Sequence, residues 1–485
     1  MKRTIYTYDF APYYPMGILP CPMYVDVANR IYDRIKDMEL KFPNADELKK
    51  EIAINAAIYY EDKMSGIGLW NVFVAKHMLA YLRALPFFDD YDVLCKDDVN
   101  TKEIELLVWL VLSRNFDDRF LNPLVMGEYT ADIIMIVFSE DDDVEVNEAL
   151  HDYIYNKDTA NDYFKLKHVL FWLRRSYLLC HPLSEEKFDE LRDIYSKQFS
   201  KNESSYYAET TFSMDTEIGP MALNAHLWLA DMYYYNHMHD ESEKLTQLEY
   251  CQQDVFEVLS VDEKYLTLAD SRKERYQLRN TYPDIFRSGC YICTALVKYG
   301  DNDWEINGVL FKTSKDIYYR MCERKEQLGY SYDHTYPLYM ERTKGKRLAF
   351  FNNSSQLKEW LKIVSPEMDV NKVKSLLPSG PQLAFISEKA GIVFASGIVH
   401  AIKCDDNPYY KACDPHKLQE ETMHAVLNVD SMHPELLNYL LENNMLQDGD
   451  ISGTHQCEIG NKIFTLNIDF IARNHRRHYY HDHDY

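Results

Sequence analysis

A change of period divides this chain. From residue 25 to about residue 240, apolar side chains recur every three or four positions, as amphipathic helices require. From about residue 261, runs that alternate every second residue join them. In 25–40, Val27, Ile31, Ile35 and Met38 fall on one stripe, and segments 44–62, 69–85, 102–115, 143–156, 161–179 and 184–199 continue the series. Asn44 or Asp46 is the expected cap of the second of these. Ser184 opens the last with Lys187 where a complete capping box needs Glu. The polar stretch 200–220 reads as a loop. Residues 221–240, with "ESEKLTQLEYCQQ" after them, look like one helical-repeat unit, though no second copy follows at a fixed period.

The second part mixes elements. "GCYICTALVKY" and "WEINGVLFKT" flank "GDND" as a hairpin, and "PQLAFIS" and "GIVFA" flank "EKA" as another. Helices are expected at 315–328, 355–364, "LQEETMHAVLNV" and "PELLNYLLENNML", with a short strand at 346–351. In "KIFTLNIDF" (462–470), Phe464, Leu466, Ile468 and Phe470 alternate behind a Gly460-Asn461 turn, which predicts a strand. The opening ~24 residues, rich in Pro and Tyr, read as an extended arm packed on the body. The expected fold is mainly α with a C-terminal α+β part: a helical domain over 1–260, then a mixed α+β domain with antiparallel hairpins over 261–485, ending in a His-rich tail.

Charge changes where the period does. Residues 1–260 hold 25 Lys/Arg against 46 Asp/Glu, a net of −21, and residues 261–485 hold 28 against 31, a net of −3. The first part repels a phosphate backbone, so nucleic acid is not an expected partner of the whole chain. The third functional reading, nucleic-acid binding by the C-terminal domain, would have to use "ERTKGKR" (341–347) and "RNHRRH" (473–478). Tyrosine reaches 39 residues, bulk suited to wide helix packing and to partner contact. The ten scattered cysteines do not form a disulfide scaffold, the opening residues lack a signal-peptide core, and no apolar run is long enough for a membrane span. A cytoplasmic protein with reduced thiols is expected.

The run 59–112 resembles an uncharacterised bacterial family known only as a domain of unknown function. Glu61-Asp62, Gly66 to Trp70, Leu85-Pro86-Phe87-Phe88 and Val108-Trp109-Leu110 carry the likeness, and "YLTLAD" (265–270) and "EINGVLF" (305–311) are similar to the same family. The resemblance implies a bacterial cytoplasmic origin and no known activity.

Motifs for chemistry are few. Gly66-Ile67-Gly68 has no third glycine and no preceding strand, so it reads as a helix–helix turn and not as a phosphate cradle. Asp141, Asp143 and Glu145 have calcium-loop spacing, but Val146 stands where that loop needs glycine, and a capped helix is expected instead. Cys290 and Cys293 lie in a strand, where an offset of three points side chains to opposite faces; two packed thiols are expected, not a redox pair. Asp231, His237, His239, Asp240 and Glu241 cluster at a helix end, where the dipole alone favours His. The tail places His475, His478, His481 and His483 beside Arg476 and Arg477, and a mobile solvated terminus is the expected reading.

One stretch offers metal ligands. In "HAIKCDDNPYYKACDPH", His400, Cys404, Cys413 and His416 are candidate zinc ligands. The competing expectation is two packed thiols and a helix that starts at Pro415 under an Asp414 cap, with no cofactor. Composition and the missing catalytic signatures together favour an intracellular protein-binding or regulatory role with an unidentified protein partner, and not an enzyme. A metal-dependent enzyme or zinc-stabilised module in the C-terminal half is the alternative.

Overall fold

The computed structural model describes residues 4–40, 42–88, 99–115, 120–123, 127–140, 145–280, 285–366, 380–388, 390–428, 431–446 and 463–476. Two compact units emerge, one formed by 1–116 with 121–319 and the other by 117–120 with 320–485.

The first unit opens with α1 (Thr7–Phe10), α2 (Pro22–Ile35), α3 (Ala45–Met64), α4 (Leu69–Tyr81), α5 (Thr101–Ser113) and α6 (Gly127–Phe138). Helices α2, α3, α5 and α6 pack on one another. Their core includes Ile31, Ile52, Ile104, Val108 and Ile134, all almost fully buried. The expected extended arm is a short helix and turn whose Phe10 and Tyr14 are buried. Asn44 caps α3 by position only, in the left-handed region with no side-chain bond.

Then come α7 (Glu148–Tyr155), α8 (Lys157–Ala160), α9 (Tyr163–Leu173), α10 (Pro182–Ser196) and α11 (Lys201–Asp215). Helix α11 replaces the expected loop at 200–220. Its sequence is rich in Ser and Thr, which lowers helix propensity. A complete capping box starts it, with Ser200 and Glu203 bonding reciprocally, and Ala208, Phe212 and Met214 are buried. At the start of α10, the His181 ring accepts from the Leu183 amide at 3.2 Å, so the cap lies three residues before Ser184.

After a two-stranded ribbon of β1 (Glu217–Ile218) and β2 (Leu223–Asn224), α12 (Ala225–Tyr235) and α13 (His239–Thr246) form a helix pair. The helical reading of "ESEKLTQLEYCQQ" fails beyond Thr246: Glu249 onward is strand. A five-stranded antiparallel sheet follows, made of β3 (Glu249–Val261), β4 (Tyr265–Ala269), β5 (Arg275–Arg279), β6 (Tyr291–Lys298) and β7 (Glu305–Thr313), in the order β5-β4-β3-β6-β7. Phe256, Val258, Leu266, Leu268, Tyr276 and Leu278 form its core. The hairpin expected at 289–313 is β6–β7. Its register slips between Cys293 and Ala295, and Gly308 in β7 adopts φ +89 there. A side chain at 308 would also crowd Thr210 of α11, at 3.1 Å. Residue 260 lies in β3, paired with both β4 and β6, so the change of charge balance falls inside the first unit.

Helix α14 (Lys315–Arg342) spans the division after Tyr319. The second unit contains β8 (Leu348–Phe351), α15 (Ser354–Val364), β9 (Gln382–Ser387), β10 (Gly391–Ser396), a 3-10 turn at Val399–Ala401, α16 (Pro415–Leu427), α17 (Pro434–Glu442) and α18 (Ile468–His475). The β9–β10 hairpin forms as expected, with Ile392 opposite Ile386 and Phe394 opposite Ala384, and β8 adds to the free edge of β9. Leu357 and Leu361 of α15 pack on this sheet.

The strand expected at 462–470 is helical instead: 463–466 form one turn and α18 follows. Phe464, Ile468, Ile471 and Ala472 stand at i, i+4, i+7 and i+8, and all four are buried. Leu466, which alternation required inside, is 55% exposed. The Gly460-Asn461 turn lies outside the described residues. Helix-rich packing in the first part and antiparallel sheets with helices in the second match the expected fold class. Among the described residues, no helix is long and apolar enough to cross a membrane.

Candidate metal centre and buried carboxylates

The segment between β10 and α16 folds back on itself. Asn407, buried, donates to the carbonyls of Val399 at 2.7 Å and Ile402 at 2.8 Å. The Lys411 amide reaches the His400 carbonyl at 2.9 Å. This closure brings the end of the loop beside the 3-10 turn. Asp414 then caps α16, accepting from the amides of His416 at 2.8 Å and Lys417 at 3.4 Å, with Pro415 at the first helical position, as expected from sequence.

Three side chains from these segments converge. A His400 ring nitrogen, the Cys413 sulfur and a Glu421 carboxylate oxygen all lie within 4.8 Å of one another. His400 Nδ1 sits 3.0 Å from Glu421 Oε2, and both side chains are nearly buried. Lys417 stands 3.9 Å from the other Glu421 oxygen. Burial, followed by the charge of Glu421, pushes the Cys413 thiol above its ordinary value, against the pull of Lys417.

Of the four sequence candidates, the structure brings together His400 and Cys413. Cys404 and His416 are not in the group: the Cys404 carbonyl accepts from the Asn407 amide, and the His416 side chain is exposed at the start of α16. Glu421 takes their place. It lies two helical turns after the Cys413–Asp414 cap, over the same face of α16.

The other constellations are occupied by local contacts. Asp231 pairs with Lys76 at 2.5 Å, and the His237 and His239 rings meet edge-on, with centroids 6.1 Å apart. Cys290 and Cys293 are free thiols; Cys290 packs on the sheet core and Cys293 accepts from Gln253. In the basic stretch 341–347, Arg342 donates to the Val364 carbonyl, Lys346 pairs with Asp406, and Arg347 pairs with Glu435 and Glu388. Arg473 pairs with Asp469, and Arg476 is 1% exposed. Asp141 and Asp143, and His478, His481 and His483, lie outside the described residues.

The first unit holds a second concentration of ionisable groups, and it coincides with the motif residues of 59–112. Glu61 and Asp62 lie in the last turn of α3, and Gly66 and Gly68 reverse the chain with φ of +64 and +78. Gly68 is the N-cap of α4 and has no side chain to bond the first amides. Asp62 does so across the turn: its carboxylate accepts from the amides of Leu69 at 3.0 Å and Trp70 at 2.9 Å and from the Tyr177 hydroxyl at 2.7 Å. Glu61 accepts from the Tyr14 hydroxyl, the Cys21 amide and the Asn147 side chain, tying the N-terminal segment and the start of α7 to α3. Glu103 accepts from Tyr59 and pairs with Lys63. Burial raises the pKa of all three carboxyls. The cavity beside Glu61 and Asp62 has a volume of about 20 Å³, enough for one water. Glu61 and Asp62 hold chain segments together, and the cavity beside them is too small for a substrate.

No curated protein and no solved structure gives a significant match to the chain. A family described as a protein of unknown function, DUF3843, matches residues 11–317 and 319–477, a span that includes the Asp62 turn, the five-stranded sheet and the His400–Cys413–Glu421 group. The chain belongs to the DUF3843 family.

Proposed function

We propose that the second unit holds a thiophilic divalent cation, zinc by its ligand chemistry, between His400, Cys413 and Glu421. The convergence of three ligand atoms within 4.8 Å, from the 3-10 turn, the loop end and α16, carries this reading. One nitrogen, one sulfur and one oxygen suit zinc, whereas magnesium and calcium prefer oxygen alone. A tetrahedral ion needs ligand atoms about 3.3–3.8 Å apart, so the His400–Glu421 contact, 3.0 Å without an ion, has to open slightly around it. Three protein ligands leave a fourth position for water. That is the pattern of sites where an ion acts on water or substrate, beyond bracing the fold.

Metal analysis of the full chain, purified without chelator from zinc-supplemented medium, tests this. About one equivalent of zinc is expected, lost in Cys413→Ala and Glu421→Gln and kept in Cys404→Ala and His416→Ala. Metal-free wild type, or loss in the Cys404 variant, would overturn the assignment. A role through protein contacts is a separate proposal that rests on the acidic surface of residues 1–260, and co-purification from the native host is its test.

A further inference from the structure

Lys167 is a buried lysine. It lies in α9 and is 1% exposed, and no acidic group pairs with it among the described residues. Aromatic rings surround it because helical spacing puts them there. Tyr163, Phe164 and Phe171 stand four and three residues before it and four after, on the same face. Their ring centroids lie 5.8, 5.6 and 5.9 Å from the Lys167 nitrogen. Helix α11 adds Tyr206, with its ring centroid at 4.7 Å and its hydroxyl at 2.9 Å.

We infer that Lys167 is an amine nucleophile that condenses with a small aromatic or apolar aldehyde or ketone to form an imine. Three features lead there. An ammonium ion shielded from water, with no counter-ion among the described residues, loses more solvation than the ring faces return, which favours the free amine, the nucleophilic form. Burial alone pulls this group down to about 7, in keeping with that geometry. Aromatic walls accept a flat apolar carbonyl compound and reject charged ones. Access runs through the outer rings: Phe164 is 48% exposed and Tyr206 38%, so the nitrogen lies one ring beneath the surface. Exposed side chains of this kind change rotamer on the ps–ns timescale.

The step balances without an oxidant. The nitrogen lone pair adds to the carbonyl carbon, and the proton released from nitrogen passes to the carbonyl oxygen. The second nitrogen proton follows to the same oxygen, which leaves as water as the C=N bond forms. The Tyr206 hydroxyl is close enough to take the proton from nitrogen and return it to the departing oxygen.

Lys165 supplies an internal comparison. It lies two residues away on the same helix, with a side chain 60% exposed and an acidic neighbour, Asp162, at 3.6 Å. The full chain is incubated at pH 7 with benzaldehyde and cyanoborohydride, which traps imines as stable amines, and modification of each lysine is followed by peptide mass spectrometry. Lys167 is expected to label at least tenfold faster than Lys165. Tyr206→Phe, which keeps the ring and removes the hydroxyl, is expected to slow Lys167 several-fold without changing Lys165. Lys167→Arg, which keeps the cage filled, removes the fast site. Labelling of Lys167 no faster than Lys165 in the folded wild type would overturn the inference.

Discussion

Both units bury carboxylates, and the protein treats them in opposite ways. In the first unit, Glu61, Asp62 and Glu103 are 0–2% exposed, and burial raises their pKa despite the hydrogen bonds they accept. In the second, Glu435 is 8% exposed yet is held below the ordinary value. Burial opposes its ionisation as well, but the Ser387 hydroxyl, the Glu388 amide and the Arg347 guanidinium together outweigh it. Arg347 is fixed in turn between the rings of Phe385 and Tyr439, at 4.5 and 4.9 Å, and by the Ile386 carbonyl. Burial is common to both sites; at Glu435 the Ser387 hydroxyl, the Glu388 amide and Arg347 together outweigh it, whereas at Glu103 the Lys63 charge and the Tyr59 hydroxyl do not. Asp62 and Glu61 therefore work mainly as hydrogen-bond acceptors that organise turns. Glu435 works as an anion.

The largest effect should follow removal of the acceptor that starts α4. Asp62→Ala leaves two backbone amides and the Tyr177 hydroxyl without their partner in a closed interior. A loss of about 3–5 kcal/mol is expected, each orphaned donor costing roughly 1–3 kcal/mol before relaxation. Urea unfolding followed by a probe in the first unit measures it. A loss below about 1 kcal/mol would mean that α4 does not depend on this cap.

Next comes the charge pair. Arg347→Ala strands Glu435 in a nearly buried site and should cost roughly 3 kcal/mol at pH 7. The loss should shrink toward pH 4, where an unpaired Glu435 can take up a proton. Equal losses at both pH values would remove the charge from the explanation and leave only the lost packing of the guanidinium on its rings.

The Asp62 turn was visible in the sequence only in part. Glu61-Asp62 and Gly66 to Trp70 stood out as a motif, and the glycine pair was read as a helix–helix turn. The role of Asp62 was hidden because Tyr177 and the α4 amides reach it only in the folded chain. The β6–β7 and β9–β10 hairpins were legible, since short loops join strands with clear alternation. β5 was missed although Arg275, Gln277 and Arg279 alternate with buried Tyr276 and Leu278: five residues, three of them polar, look like loop without the neighbouring strand. Phe464 to Phe470 misled in the other direction, because a run of that length satisfies period two and, when Ile471 and Ala472 are included, period 3.6. At the metal centre, spacing identified His400 and Cys413. Glu421 could not be selected among the acidic residues of α16 without knowing which face met the loop.

The comparison also predicts opposite responses to acid. Glu435 has a depressed folded pKa, so its stabilisation is present above the ordinary glutamate value of about 4.3 and is lost as pH falls through its folded value. Glu61, Asp62 and Glu103 have raised folded pKa values, so what they contribute is fully present below the unfolded value and is lost as pH rises through the folded one. Hydrogen exchange between pH 6 and 3, corrected for intrinsic rates, separates the two. Protection of the Glu388 amide should fall toward acid, whereas protection of the Leu69 and Trp70 amides should hold or rise. A common trend at both sites would break the contrast.

The smallest effect sharpens it furthest. If the first-unit carboxylates act as acceptors, an amide should replace one wherever the donors can be shared out correctly. At Glu61, the Cys21 amide and the Asn147 side chain both approach Oε1, while the Tyr14 hydroxyl approaches Oε2. Glu61→Gln can keep its oxygen toward the first two and donate from its nitrogen to the Tyr14 oxygen, with the Tyr14 proton turned toward the water-sized cavity. Asp62 offers no such solution. Leu69 donates to Oδ1 and Trp70 to Oδ2, so Asp62→Asn must set its amino group against a backbone N–H in either orientation. Asp62→Asn should therefore cost roughly 1–3 kcal/mol, and Glu61→Gln no more than about 1 kcal/mol at pH 7. Removing the buried charge even gives the latter a chance to gain stability as pH rises. Similar losses for the two variants would show that charge, and not the arrangement of donors, sets the behaviour of this site.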